Sequence, residues 1–261
     1  MIKAKKSLGQ NFLVDKNIID KIINTVSITD NEILEVGPGT GNLTREILKK
    51  RPSKMYLIEK DTLLAESLNE VIDKRVKIFN KDILKFDEKS LSKNKIIVFG
   101  NLPYNISTEI LSNWITNFNN DYWFTDLVLM FQKEVADRII AKSNTSAYGR
   151  LSILTNWRLN IKKICDISPE SFSPRPKVQS TLIHFTPKKK FAEIKNPINL
   201  EKITRIFFSH RRKMLKKPFN QIFNGKNDLL NKFNLDLNLR PQNLDFDTYY
   251  KLTIEYEKLR S

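Results

Sequence analysis

Glu32-Ile33-Leu34-Glu35-Val36-Gly37-Pro38-Gly39-Thr40-Gly41 is the stretch on which the architecture turns. Glu32 to Val36 reads as a short strand, and Asn42 to Lys50 as a helix. Glycine is scarce in this chain, 7 of 261 residues, yet three fall within five positions here. Glycine costs backbone entropy wherever it is not needed, so this crowding marks a place where the main chain turns tightly or lets something approach closely. Outward from the loop the pattern repeats. Met55 to Ile58 reads as a strand, Thr62 to Ile72 as a helix and Val76 to Phe79 as a strand; Ile96 to Phe99, Ile106 to Phe118 and Leu127 to Phe131 keep the rhythm. Such alternation predicts a doubly wound α/β fold, a parallel sheet with helices on both faces and ligands at the carboxyl ends of its strands.

Beyond a helix expected at Val135 to Ala141, the runs Arg158 to Ile167 and Val178 to Phe185 read as two strands joined by the proline-studded loop SPESFSPRPK. Together they make a closing antiparallel pair. From Asn199 onward the period is helical, with Pro218 and Pro241 as expected breaks, so residues 1–189 are expected to form the sheet domain and 190–261 a small all-helical one. The balance of 45 Lys and Arg against 29 Asp and Glu leaves +16, with 40% apolar residues. A folded body that binds a polyanion follows, rather than a disordered polycation. The last 72 residues hold 15 of the basic side chains against 8 acids, about twice the net charge density of the rest. Lys202 to Lys217 is sharpest: seven cations, no acid, and apolar residues at helical spacing. The lone Cys165 excludes a disulfide framework and fits a reducing compartment. No stretch is long and apolar enough to span a membrane, and the amino terminus does not read as a secretory signal, so a cytoplasmic location is expected.

The glycine spacing carries chemistry. A dinucleotide site wants G-x-G-x-x-G, so that a pyrophosphate sits on the helix amino terminus. Here the third glycine comes one residue early, which favours a ligand without phosphates. Glu59 ends the next strand, where a carboxylate can accept from two ribose hydroxyls, and Asp82 stands where the following strand ends, placed to meet an adenine amine. An adenosine with a zwitterionic or cationic tail fits this set, and S-adenosylmethionine has that shape. The competing reading is a tight structural turn with Glu59 capping a helix.

GNLPY, Gly100 to Tyr104, follows the next strand and lies at the same sheet edge. The lone pair of an exocyclic amine is delocalised into the purine ring, so methylating it requires acceptors that draw the nitrogen toward a tetrahedral form. The Asn101 side-chain oxygen and the Leu102 carbonyl, stiffened by Pro103, can accept both amine hydrogens, while Tyr104 can stack on the base. Proximity and electrostatic positioning then carry most of the rate. A plain Asn-Pro turn with a core tyrosine is the alternative.

Lys5 to Leu13 (KKSLGQNFL), EVGPGTG, NLPY, FQKEVADRI (Phe131 to Ile139), YGRLS (Tyr148 to Ser152), FSPRPKVQS (Phe172 to Ser180) and FSHRRKML (Phe208 to Leu215) together resemble the ribosomal RNA adenine dimethyltransferase family, in order over nearly the whole chain. The resemblance implies a Rossmann-like class I methyltransferase sheet. It implies transfer of four methyl groups from S-adenosylmethionine to two adjacent adenosines near the 3′ end of small-subunit ribosomal RNA, within an assembling 30S-type particle. It implies cofactor contacts at Asn11, Leu13, Gly37, Glu59, Asp82 and Asn101, to which the loop reading adds Gly39 and Gly41. One departure is Lys81, where the family often has glycine before the aspartate.

Phe172 resembles the aromatic that sandwiches the target base opposite Tyr104; a core phenylalanine is the plainer alternative. Gln10 and Asn11 can fold over the cofactor as a lid, or merely cap a helix. His184 and His210 lack metal-ligand companions and read as structural. Arg211, Arg212, Lys213, Lys216 and Lys217 read as phosphate contacts, against a solvated helix face. A monomer is expected. Two rivals stand beside this reading: a large-subunit adenine methyltransferase of the antibiotic-resistance type, and an RNA-binding assembly factor that no longer catalyses.

Overall fold

The computed structural model describes residues 5, 9–70, 73–117, 121–226 and 228–260. Lys6 to Leu8 of the amino-terminal motif, and the expected helix ends at Ile72 and Phe118, lie outside them. In chain order the elements are β1 (Phe12–Leu13), α1 (Lys16–Ile23), β2 (Glu32–Val36), α2 (Asn42–Lys49), β3 (Lys54–Glu59), α3 (Thr62–Leu68) and β4 (Val76–Asn80). Next come β5 (Ile96–Gly100), α4 (Ser107–Thr116), β6 (Phe124–Gln132), α5 (Lys133–Ile140), α6 (Arg150–Arg158), β7 (Leu159–Ile167), β8 (Phe172–Ser173) and β9 (Ser180–Pro187). The last are α7 (Pro197–Ser209), α8 (Lys216–Phe223), α9 (Asp228–Phe233) and α10 (Phe246–Lys258).

The strands order as β4-β3-β2-β5-β6-β9-β7. β2 sits between β3 and β5, parallel to both. All five residues of β2 and of β5 are buried, as a parallel sheet covered on both faces demands. β9 runs antiparallel to β6 with Gln132 opposite Ser180. The expected closing pair, β7 and β9, therefore joins the sheet through β9, which lies between β6 and β7.

By contacts the chain divides into two compact units, residues 1–136 with 161–187, and residues 137–160 with 188–261. The expected cut at 189/190 lies two residues past the second crossing, at 187/188. Residues 137–160 group with the carboxyl-terminal helices. Those helices bury Trp157, Phe207, Phe219 and Tyr249, and the Tyr250 hydroxyl donates to the Ile153 carbonyl at 2.9 Å. Pro218 does not break a helix: it lies in the first turn of α8, where no backbone N–H partner is required. The run from Lys202 to Lys217 is likewise two helices, since α7 stops at Ser209 and α8 starts at Lys216. Among the described residues, no helix is long and apolar enough to cross a membrane.

Candidate active site at the strand tips

At the carboxyl ends of β2, β3 and β5 lies an open cavity, lined by Asn11, Gly37, Gly39, Glu59, Asp82 and Asn101 to Tyr104. The two motifs expected at one sheet edge thus share one space. Gly37 and Gly39 adopt φ of +70° and +57°, the left-handed region that favours glycine. A Cβ on Gly37 would stand 3.3 Å from the Asn101 carbonyl, and one on Gly39 would stand 2.7 Å from the Phe12 ring. The loop is therefore stripped of side chains so that both neighbouring segments can close on it.

Glu59 ends β3 and is 7% exposed. One of its carboxylate oxygens accepts from the Gly39 amide at 3.1 Å, the other from the Asp61 amide at 2.9 Å. Burial pushes its pKa up, and those two amides hold it back in part. Behind it Glu35 is 2% exposed and accepts from Thr44 Oγ1 at 2.6 Å; burial, opposed by that bond and reinforced by Glu59, raises its pKa to about 7. Asp82 accepts from the Leu84 amide at 3.1 Å and pairs with Lys60 at 2.8 Å, so Lys60 first and then Leu84 hold its pKa low against burial. A chain of net charge +16 keeps two carboxylates, Glu59 and Asp82, on the lining of this one cavity, beside Lys60 and Lys81. These carboxylates are acceptors, and they suit the hydroxyls of a ribose and the amine of an adenine.

Asn101 Nδ2 donates to the Asn11 carbonyl at 2.7 Å, which leaves Oδ1 as the acceptor end. The Pro103 carbonyl is occupied by the Ile106 and Ser107 amides at the start of α4, at 3.1 and 3.0 Å. Tyr104 lines the cavity half-buried, its hydroxyl 2.6 Å from Ser180 Oγ. The segment thus presents an amide oxygen, a rigid proline and an aromatic ring to one ligand.

Three residues expected at the cofactor or the target base lie outside the cavity lining. Leu13 is 5% exposed and Phe172 3% exposed; both belong to the sheet core, paired with each other where β1 meets β8. Phe172 is therefore a core phenylalanine in this structure and not an open stacking surface, and Phe12, next to Leu13, lines the cavity instead. Gly41 caps α2 at φ +75°, a Cβ there would stand 2.9 Å from Leu68, and it is not on the cavity lining. Arg211 donates to the Ser146 carbonyl and reaches Gln242 at 3.4 Å, so it ties the helical unit together. Arg212, Lys213, Lys216 and Lys217 are exposed. Asp61, Lys60 and Ser180 went unmarked in the sequence. Asp61 sits two residues past Glu59, a spacing that could have flagged it, and Ser180 closes the FSPRPKVQS motif. Among the described residues no three His, Cys, Asp or Glu side chains gather as a metal site, and His184 is held by Asp126 at 2.7 Å.

Comparison with known proteins agrees with this geometry. A family model described as ribosomal RNA adenine dimethylase matches residues 1–258. The Ribosomal RNA small subunit methyltransferase A of Pelagibacter ubique is 62% identical over 259 residues, 99% of each chain. That of Ehrlichia ruminantium is 41% identical over 255 residues, 95% of each. Among solved structures, a dimethyladenosine transferase from Plasmodium falciparum superposes with a TM-score of 0.81 at 28% identity, covering 95% of this chain and 98% of that one. The 23S rRNA methyltransferase ErmE gives 0.71 at 21% identity, covering 95% and 100%, a likeness of fold alone.

Proposed function

The chain belongs to the ribosomal RNA adenine dimethylase family and is a methyltransferase, and from that premise we propose that it dimethylates the exocyclic amines of two adjacent adenosines near the 3′ end of small-subunit ribosomal RNA. Family and fold imply S-adenosylmethionine as the donor, whose sulfonium supplies an electrophilic methyl group when bound. Gly37 and Gly39 let the backbone pass close to it, Glu59 accepts from its ribose, Asp82 meets its adenine amine, and Asn11 covers it from the amino-terminal side. Asn101 Oδ1 and the Leu102 carbonyl accept the two hydrogens of the target amine and turn its lone pair toward the methyl. Tyr104 stacks on the base. No strong general base is required, because alignment supplies most of the rate.

The observation that carries this reading is the shared cavity, which sets the glycine loop and the Glu59 carboxylate beside an amide oxygen oriented by the bond of Asn101 Nδ2 to the Asn11 carbonyl. The sheet unit would bind the cofactor and the basic helical unit the RNA, in an assembling small-subunit particle, as a monomer in the cytoplasm. Mapping dimethyladenosine in both ribosomal RNAs, from cells with and without the gene, tests it. Loss of the adjacent pair in the small-subunit RNA is expected. A lost mark in the large-subunit RNA favours the resistance-type rival, and no lost mark favours a factor that only binds.

A further inference from the structure

Resting on that reading, we propose that Ser180 is a positioning residue, whose hydrogen bond to the Tyr104 hydroxyl fixes the tyrosine ring as a preformed wall for the target purine. The two oxygens stand 2.6 Å apart although 76 residues separate them in sequence. Ser180 has no exposed surface, and it is held from both sides. It pairs in register with Gln132 on β6. Before it, the Gln179 carbonyl accepts from the Lys133 amide at 2.9 Å. After it, Thr181 Oγ1 donates to Asp166 at 2.6 Å, and Asp166 also takes Lys163 Nζ at 2.8 Å. The start of β9 is thus a fixed post. At its other end Tyr104 is held through its own carbonyl, which accepts from Ser107 Oγ at 3.2 Å. With both ends tied, the ring surrenders little rotamer freedom when a base arrives, and the amine meets the Asn101 acceptor without a search.

A merely structural role, satisfaction of a buried serine, predicts lower stability in either single variant with kcat unchanged. The test uses the full chain and unmethylated small ribosomal subunits, comparing wild type with Ser180→Ala, Tyr104→Phe and the double variant. Tyr104→Phe removes the same bond from the cavity side without disturbing β9. Each single change is expected to lower kcat about ten-fold, with KM for the particle and affinity for S-adenosylhomocysteine near wild type, and the double variant to be no slower than either single one. Wild-type kcat in Tyr104→Phe, or losses that multiply in the double variant, overturns the tether. If wild type itself leaves the particles unmethylated, the functional reading fails, and the tether falls with it.

Discussion

Glu35 is a carboxyl that the fold buries at the end of β2 with Thr44 as its hydrogen-bond donor, and desolvation carries its pKa from 4.5 to about 7. A raised native pKa means that the folded state holds the proton more tightly than the unfolded chain does. Its contribution to stability is therefore full below pH 4.5 and is lost as pH rises toward about 7, a swing on the order of 3 kcal/mol. Glu35→Gln keeps an acceptor for Thr44 and removes the charge. It should melt about 5 °C above wild type at pH 8, the gap closing toward pH 5, by calorimetric scans across that range. Asn101 and Glu59 divide the labour differently. Asn101→Ala should lower methyl transfer at least about a hundred-fold while sparing cofactor affinity. Glu59→Ala should weaken S-adenosylhomocysteine binding about ten-fold or more, by titration calorimetry. Near-normal turnover in Asn101→Ala would remove the amine-acceptor role.

At the scale of elements, the amino-terminal strap is fastened at separate points. β1 pairs with β8, Phe12 packs on the glycine loop, and the buried carboxylate of Asp61 takes Gln10 Nε2 at 3.0 Å and Lys5 Nζ at 2.9 Å. Asp61→Asn retains the cap on Leu63 at the start of α3 but loses the charge that attracts Lys5. S-adenosylhomocysteine affinity should fall about three- to ten-fold with little change in melting temperature; unchanged affinity would detach Asp61 from the strap. The same element shows what sequence could and could not disclose. The glycine loop, Glu59 and the NLPY turn were legible, because special backbone and strand-end acids leave a mark in composition and spacing. Leu13 and Phe172 were not. Adjacent residues of a strand point to opposite faces, so Phe12 faces the cavity and Leu13 the core, and only the register with β8 decides which. Helix α6 was hidden for a related reason: Ile153, Leu154, Trp157 and Arg158 are all buried, so no polar face gives it a period.

At the scale of the whole molecule, the net charge of +16 pointed to a polyanion, but charge in sequence does not tell a free cation from one already engaged. Arg211 binds carbonyl groups within its own unit, whereas Arg212, Lys213, Lys216 and Lys217 are exposed where α7 gives way to α8. Neutralising those four with glutamine should reduce the slope of log affinity against log salt by up to about 3, at roughly 0.7 per phosphate contact on single-stranded RNA, and leave the melting temperature near wild type. Arg211→Gln should do the reverse, lowering the melting temperature by a few degrees while the slope moves little. Filter binding to small-subunit RNA over a salt series, alongside thermal melts, separates the two. A full slope in the fourfold variant takes this surface out of the RNA interface, and a slope that falls in Arg211→Gln returns that arginine to it.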